Sequence, residues 1–273
     1  MNNYYGNVVL VTGASSGIGK EAAEHLMRKG YKVYGTSRKL QTSRQDETSG
    51  GSINMMQLDV CSEESIEKAV NCIIEKEGRI NILINCAGFG IAGSVEDTSI
   101  DEAYKQFDTN FFGVLRMCRS VLPIMRAQKK GLIINVSSIA GLISIPYQSM
   151  YSASKFALEA ATEALRSEVK LFGINVSLVE SGDTKTGFTG KRQFTQASET
   201  LVYRERFTKS IDAMAKSEQN GPGPEVVVKS IIRVINSKNP PVRIACGFSY
   251  KAIVFIKRLL PSRLIAYAVS KLY

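Results

Sequence analysis

The sequence has little of what a metal centre, a disulfide framework or a membrane span requires. Its 273 residues include one histidine, His25, so a typical histidine-based zinc site is excluded and we expect no metal. The five cysteines are odd in number, scattered and without CxxC spacing, which predicts reduced thiols in a cytoplasmic protein. No uncharged apolar run approaches the ~18 residues that span a bilayer. Residues 1–7 carry no signal-peptide pattern.

Acidic residues are absent after Glu225, although the whole chain has 25 of them against 35 Lys and Arg. Most of the net charge of +10 therefore comes from the C-terminal region. The tail, residues 248–273, is apolar and basic with a break at Pro261. It could contact an anionic membrane surface, cover a substrate entrance or pack on a partner subunit. Nucleic-acid binding is disfavoured because its charges are interleaved with aliphatic residues instead of stacked aromatics.

Short apolar runs alternate with amphipathic stretches, which predicts a Rossmann-type doubly wound parallel sheet of about seven strands in a single α/β domain, residues 1–247. The predicted strands are 7–12, 32–36, 53–58, 80–85, 131–136, 175–180 and 242–246. The predicted helices are 18–28, 62–77, 99–127, 149–172, 225–237 and a tail helix from about Tyr250. We expect residues 38–51 to form a polar loop and residues 183–224 to form a mobile segment over a site.

A glycine-rich turn joins the first strand to the first helix, with the spacing Gly13-xxx-Gly17-x-Gly19. Such a turn places backbone N–H groups and a helix N-terminus against a pyrophosphate, although a glycine turn without a ligand remains an alternative. A nucleotide phosphate loop does not fit, because five residues separate Gly13 from Gly19 and Glu21 follows Lys20. The sequence therefore favours a dinucleotide.

The end of the second strand distinguishes between two dinucleotides. Folds that bind NAD usually carry an acid there for the ribose 2′-OH, whereas an arginine suits a 2′-phosphate. Here the strand ends in Ser37-Arg38 and no acid is present. NADP(H) is therefore favoured over NAD(H), with a solvated basic loop as the alternative.

Tyr151 and Lys155 stand four residues apart on a predicted helix and so share a face. A cation roughly 5 Å away, at a dielectric of about 20, favours phenolate by around 3 kcal/mol, or about two pKa units. Lys155 is thus expected to lower the pKa of Tyr151 into the range for proton exchange with an alcohol or ketone. Taken alone, a tyrosine and a lysine four residues apart on a helix are usually a partly exposed pair with no catalytic role.

These residues occur with Asn85-Cys86-Ala87-Gly88, Asn110 and Ser138 in an order and at intervals that resemble the short-chain dehydrogenase/reductase family over residues 7–186. Residues 141–147, 151–159, 179–183 and 186–188 look most like the group of 17β-hydroxysteroid dehydrogenase type 1 and related retinol dehydrogenases. Two departures concern Cys86, in place of the usual asparagine, and Ser181-Gly182, in place of Pro-Gly.

The resemblance implies a role for each catalytic residue. Tyr151 is the general acid/base, Lys155 tunes it and holds the nicotinamide ribose, and Ser138 donates to the same substrate oxygen. Asn110 holds a water that links Lys155 to solvent. The resemblance also implies which residues bind the cofactor. They are Gly13, Ser15, Ser16, Gly17, Ile18, Gly19, Ser37, Arg38, Asp59, Val60, Asn85, Ala87, Gly88, Tyr151, Lys155, Thr184 and Thr186.

An apolar mouth around Ser138 is predicted from Ile143, Tyr147 and Phe188 together with Pro146 and Phe194, and these aromatics could equally be core residues. The resulting expectation is NADP(H)-dependent interconversion of an alcohol and a ketone on a bulky steroid- or retinoid-like substrate. The alternatives are a reductase of a small carbonyl or acyl compound and a non-catalytic nucleotide-sensing scaffold. We expect a homodimer or homotetramer through helices 99–127 and 149–172, in the cytoplasm or peripheral on a membrane.

Overall fold

Strands and helices alternate along most of the chain, as the sequence predicts. The protein is represented by a computed structural model that describes residues 4–196, 200 and 202–273. The first half contains β1 (Val8–Thr12), α1 (Gly17–Met27), β2 (Lys32–Ser37), β3 (Arg44–Asp46), β4 (Gly51–Gln57), α2 (Glu63–Glu77), β5 (Ile82–Asn85), β6 (Ile91–Ala92), α3 (Ile100–Phe107) and α4 (Gly113–Ala127). The second half contains β7 (Gly131–Ser138), α5 (Ser149–Val169), β8 (Ile174–Ser181), β9 (Gln193–Phe194), α6 (Arg204–Asn220), α7 (Glu225–Ile235), β10 (Arg243–Ala245), α8 (Phe248–Leu259) and α9 (Ser262–Leu272).

The central sheet has eight strands in the order β10-β8-β7-β5-β1-β2-β4-β3. All seven predicted strands are present and parallel, which confirms the doubly wound α/β fold. Strand β1 pairs with β2 on one side and with β5 on the other, so the winding reverses there. In such sheets the ligand crevice opens at the carboxyl ends of the strands beside this reversal.

Both faces of the sheet are buried, which explains the continuous apolar runs of its strands. In β1, Val9 and Val11 face one core cluster while Val8 and Leu10 face the other. Helices α1 and α7 cover the first cluster. Helices α2, α4 and α5 cover the second. The site therefore stands on a rigid three-layer support.

The predicted helix 99–127 is interrupted. It begins with a capping box, in which Ser99 and Glu102 bond to each other's backbone N–H, and continues as α3. Residues Asp108–Phe112 then form a π-helical turn, and the regular helix resumes as α4. Within this turn the Gly113 N–H donates to Asp108, five residues back. Such turns are concentrated at functional positions in helices, and this one contains Asn110.

Two segments that we expected to be irregular contain regular structure. The predicted polar loop 38–51 includes β3, which pairs antiparallel with β4 at the edge of the sheet. Residues 183–224 include the 17-residue helix α6 and strand β9, which pairs with β6. Residues 197–199 and 201 of this segment lie outside the described residues. Its glycines, which prompted the prediction, flank the helix instead of interrupting it.

The tail forms two helices, α8 and α9, on either side of Pro261, as its break predicts. No helix in the described part of the chain combines the length and apolarity needed to cross a bilayer. All five cysteines are free thiols, and Cys118 and Cys246 are buried.

Candidate active site

The carboxyl ends of β1 and β5 are held together by one hydroxyl. Thr12 is buried at the end of β1, and its hydroxyl accepts hydrogen bonds from the backbone N–H of Cys86 at 3.0 Å and Ala87 at 3.1 Å. This contact places the glycine turn next to the loop that follows β5. The crevice that it forms lies where the sheet topology predicts a ligand.

The glycine turn has the backbone of a phosphate cradle. Gly13 and Gly17 have φ of +69° and +56°, a region that favours glycine. A Cβ on Gly19 would lie 2.5 Å from the Gly13 carbonyl oxygen, so the turn can close only without a side chain. Ser16 caps α1 without a side-chain bond to it among the described residues, which leaves the first N–H groups for an anion. These features fit a pyrophosphate.

We expect Gly19→Ala to destabilise the protein by about 1–3 kcal/mol, because the added methyl overpacks rigid backbone. It should also weaken NADPH binding. Gly187→Ala is the matched control, since no atom lies within 4 Å of its Cβ position. Thermal unfolding and titration of NADPH fluorescence measure both effects. Equal behaviour of the two variants would contradict the assignment of Gly19 to a closed turn.

The outer part of the crevice is polar and basic. Ser15 and Lys20 line a hollow of about 150 Å³ with Thr42 and Arg44. Arg38 is exposed after β2, and its carbonyl accepts from Gln57 Nε2 at 3.1 Å. Its guanidinium is therefore free to meet an anion from solvent.

The segment after β8 lies across the glycine turn. The Cβ of Thr186 is 3.5 Å from the position that a Cβ on Gly17 would take. Lys191 Nζ donates to the Ser16 hydroxyl at 3.2 Å. The Thr184 side chain points back toward the end of β8, because its hydroxyl donates to the Gly182 carbonyl at 2.8 Å. Thr186 is thus the better placed of the two predicted threonines.

Three further predicted cofactor residues, Asn85, Asp59 and Val60, have side chains that contact other parts of the protein. Asn85 Nδ2 donates to Asn135 at 2.9 Å inside the core, so its amide does not reach the crevice. The Asp59 carboxylate accepts from the backbone N–H of Cys61 at 3.0 Å. Val60 is buried against Gly113. The sequence motif marks these positions, while the structure gives several of them a supporting role.

Tyr151 and Ser138 meet above the end of β7. Ser138 is the last residue of β7, and Tyr151 lies in the first turn of α5. The Ser138 hydroxyl accepts from the Ala140 N–H at 3.1 Å and lies within hydrogen-bonding reach of the Tyr151 phenol. The two hydroxyls can therefore bind one substrate oxygen together.

Lys155 is buried one helical turn beyond Tyr151. Its Nζ donates to the Val136 carbonyl at 2.9 Å and lies 5.9 Å from the centroid of the Tyr151 ring. Burial lowers the pKa of Lys155 to about 8, and the charges of Cys86 and Glu159 oppose this. The predicted proximity of Lys155 to Tyr151 is therefore present.

The pKa of Tyr151 moves in the direction opposite to our expectation. Burial raises it to about 12, with the Ser138 hydrogen bond lowering it and the Glu218 charge adding to the rise. The prediction considered only the ammonium and omitted the cost of placing a phenolate in a dry site. At neutral pH the phenol is protonated and suited to donate a proton.

Asn110 is fully buried in the π-helical turn, with its side chain committed to the neighbouring backbone. Its Oδ1 accepts from the Phe89 N–H at 3.1 Å, and its Nδ2 donates to the Phe89 carbonyl at 2.9 Å. A Cβ on Gly88 would lie 3.2 Å from its Oδ1. Its Nδ2 also lies 3.5 Å from the Ser154 hydroxyl of α5, so Asn110 fixes the loop after β5 against that helix.

The predicted apolar mouth separates into two groups. Phe188 packs on Tyr151, with ring centroids 5.9 Å apart, and Ile143 lies half-buried in the turn after Ser138. Tyr147 points instead to Phe207 of α6, with a centroid distance of 5.6 Å, and Phe194 contacts the same ring. Phe188 is thus the aromatic residue against the catalytic tyrosine.

A buried ion pair links two parts of residues 183–220, the segment that we call the cap, and sequence reasoning missed it. The Arg192 guanidinium pairs with Glu218 of α6, whose carboxylate also accepts from the Thr189 hydroxyl at 2.5 Å. With its amide oxygen turned inward, Gln148 accepts from Arg192 at 3.1 and 3.2 Å. Since Gln148 precedes α5, the pair joins the cap to the helix of Tyr151. No local pattern connects residues 26 positions apart.

Comparison with known proteins is consistent with this geometry. A family profile described as "short chain dehydrogenase" matches residues 7–197. A 3-ketodihydrosphingosine reductase of Bacteroides thetaiotaomicron is 42% identical over 269 residues, 97% of each chain. Human retinol dehydrogenase 8 is 37% identical, over 91% of this chain and 84% of its own.

Solved structures give the same picture of the fold. A short-chain dehydrogenase from Streptomyces avermitilis has a TM-score of 0.79 at 32% identity and covers 91% of both chains. A Burkholderia phymatum protein in complex with NAD has a TM-score of 0.78 at 24% identity, over 95% of this chain and 94% of its own. ElxO with NADP bound has a TM-score of 0.72 at 27% identity, over 90% and 99%. The neighbours thus include both nicotinamide cofactors.

Proposed function

The chain belongs to the short-chain dehydrogenase family, and we propose that it is an NADP(H)-dependent oxidoreductase that reduces a ketone on a lipophilic substrate. The observation that carries the proposal is the pairing of Tyr151 with Ser138, above buried Lys155 and beside the glycine turn. When bound, the nicotinamide supplies the hydride.

The residues of the chain supply the proton and bind the developing charge. The Ser138 hydroxyl and the Tyr151 phenol both donate to the carbonyl oxygen, and Tyr151 releases its proton to that oxygen as charge develops. Burial raises the pKa of Tyr151 to about 12, so the phenol is protonated at neutral pH and can act as the general acid when a ketone is reduced. Lys155, one turn away, stabilises the phenolate that remains.

The preference for NADP(H) is supported by Arg38 and by the absence of an acid at the end of β2. The guanidinium is exposed at the carboxyl edge of the sheet, where it can reach a 2′-phosphate. Lys20 and Arg44 line the adjacent hollow and add positive charge, although Glu24 pairs with Arg44 at 2.8 Å.

We expect Arg38→Asp to raise the KM for NADPH by about tenfold or more, because a charge-assisted contact with phosphate becomes a repulsion. The KM for NADH should change much less, because NADH lacks the 2′-phosphate. Initial rates with both cofactors measure the difference. Lys39→Asp, one residue further along the same exposed loop, controls for the change of charge. Equal effects on both cofactors would remove the 2′-phosphate argument.

The substrate class is proposed from the relatives and from the apolar cap. Phe188 packs on Tyr151, and half-buried Ile143 follows Ser138 in the turn after β7, so we expect apolar groups around the reacting carbonyl. The reductase relative is 42% identical over 97% of each chain, which favours a long-chain keto-lipid over the steroid or retinoid that the sequence suggests.

Absorbance at 340 nm with NADPH tests the proposal against 3-ketodihydrosphingosine, all-trans-retinal, estrone and a small β-ketoacyl compound. We expect the highest kcat/KM for the long-chain ketone. A preference for the small compound would favour the alternative of a small-carbonyl reductase. Cofactor binding without turnover of any carbonyl would favour the nucleotide-sensing scaffold.

We also propose a homodimer through the helices that flank the site. Tyr104, Phe112 and Phe156 on α3, the π-helical turn and α5 are exposed. Beside Phe156, residues 144–146 border an apolar hollow of about 590 Å³ on the outer face of α5. Light scattering should give twice the chain mass, and a monomer would contradict the proposal.

The free thiols suit a reducing cytoplasm.

A further inference from the structure

We propose that the two helices α8 and α9 dock the protein on an anionic lipid bilayer, beside the segment that follows β8. The tail surface, defined as residues 248–273, consists of two helices joined at Pro261. Neither helix contains a buried residue. The described residues leave this apolar segment largely uncovered, and exposed apolar surfaces of this kind mark interaction sites.

The apolar side chains of the tail surface are long and largely open to solvent. Phe255 and Leu259 on α8 are 63% and 68% exposed, and Tyr267 on α9 is 63% exposed. Their exposed neighbours of the same kind are Phe248, Ile253, Ile256, Leu260, Leu264 and Leu272. Helices that combine such side chains with Lys and Arg insert shallowly at the boundary between lipid headgroups and acyl chains.

The charge of the tail surface favours lipid over a second copy of the chain. It carries five basic residues and no acid: Lys251, Lys257, Arg258, Arg263 and Lys271. Packing two tails on each other would bring ten positive charges together, whereas anionic headgroups neutralise them. The observed composition is therefore complementary to a negatively charged surface.

The tail surface is attached to the cap over the catalytic residues. The Tyr250 hydroxyl accepts from the Asp183 N–H at 2.9 Å, and its ring packs on Gly182 just after β8. Burial raises the pKa of Tyr273, and the nearby charges of Asp183 and Glu218 add to the rise. The C-terminal residue of the tail therefore lies near the same segment. Glu218 is the partner of Arg192 in the cap. A bilayer under the tail would thus lie next to the cap.

This position has a consequence that rests on the proposed function. A lipophilic ketone dissolved in the bilayer could enter the site without passing through water. Binding of the tail to vesicles, however, does not depend on any reductase activity. The two proposals can therefore fail separately.

Co-sedimentation of the full chain with vesicles tests the docking. We expect pelleting with equimolar phosphatidylcholine and phosphatidylglycerol, little with phosphatidylcholine alone, and loss of binding at high salt. Each basic residue near an anionic surface contributes about fivefold in affinity, so Lys251→Gln, Arg258→Gln and Arg263→Gln together should weaken binding by about a hundredfold. The matched control neutralises exposed lysines elsewhere, at Lys29, Lys68 and Lys76.

The control should bind vesicles within about threefold of the unchanged protein, because surface charges far from the bilayer are screened. Phe255→Ser with Leu259→Ser should also weaken binding, with thermal unfolding confirming that each variant is folded. Equal binding of the tail and control variants would overturn the proposal. So would tail variants that change the mass in light scattering while leaving vesicle binding intact, because that result assigns the surface to a second copy.

Discussion

Tyr151→Phe is expected to lower kcat by about a thousandfold or more while NADPH still binds, because one hydroxyl carries the proton transfer. The phenylalanine ring keeps the packing against Phe188 and the position of Lys155. What is lost is the donor that shares the substrate oxygen with Ser138. Absorbance at 340 nm measures turnover, and quenching or enhancement of NADPH fluorescence measures binding.

Tyr104→Phe is the control for this substitution, because Tyr104 is 68% exposed on α3 and has no role in the proposed proton transfer. It should leave both measurements unchanged. Substantial residual hydride transfer in Tyr151→Phe would show that another group donates the proton. Ser138→Ala would then be the next variant, since its hydroxyl faces the same oxygen.

Arg192→Met is expected to destabilise the protein by about 3 kcal/mol, the low end for loss of one partner from a buried ion pair. The Arg192 side chain is 1% exposed, and Glu218 would keep only the Thr189 hydroxyl as a partner. The midpoint of thermal unfolding should fall by about 6–12 °C. The kcat/KM for a bulky ketone should also fall, since Gln148 would lose its contact with the cap.

Arg119→Met provides the control, because Arg119 and Glu63 form an ion pair whose side chains are 78% and 65% exposed. Exposed pairs contribute about 1 kcal/mol or less, so this variant should unfold close to the unchanged protein. Adding Glu218→Met to Arg192→Met should recover part of the loss, because no unpaired charge then remains buried. A double variant less stable than Arg192→Met would contradict the charge argument.

The parts of the site that could be predicted from sequence are those encoded over a few residues. The glycine turn needs its residue types at Gly13, Gly17 and Gly19 for backbone reasons, and Tyr151 and Lys155 share a face through helical period alone. The parallel sheet and its seven parallel strands followed from the alternation of apolar runs with amphipathic stretches. These features depend on local geometry, which the sequence displays directly.

What could not be predicted depends on contacts between distant segments. Arg192 and Glu218 are joined only when α6 folds over the site, and the raised pKa of Tyr151 reflects its surroundings in three dimensions. The spacing of apolar residues along α3 and α4 did not reveal the π-helical turn at Asn110. Asn85 was assigned to the cofactor by its motif, yet its amide bonds to Asn135 inside the core.

The two edges of the sheet bear on how this protein behaves at high concentration. Both edge strands, β3 and β10, are three residues long and begin with an arginine, Arg44 or Arg243. An edge strand exposes unpaired N–H and C=O groups that can recruit a strand from another molecule, and short charged edges limit this. A sheet of eight strands therefore ends on both sides in a form that discourages edge-to-edge polymerisation. Aggregation, where it occurs, should begin at the tail surface.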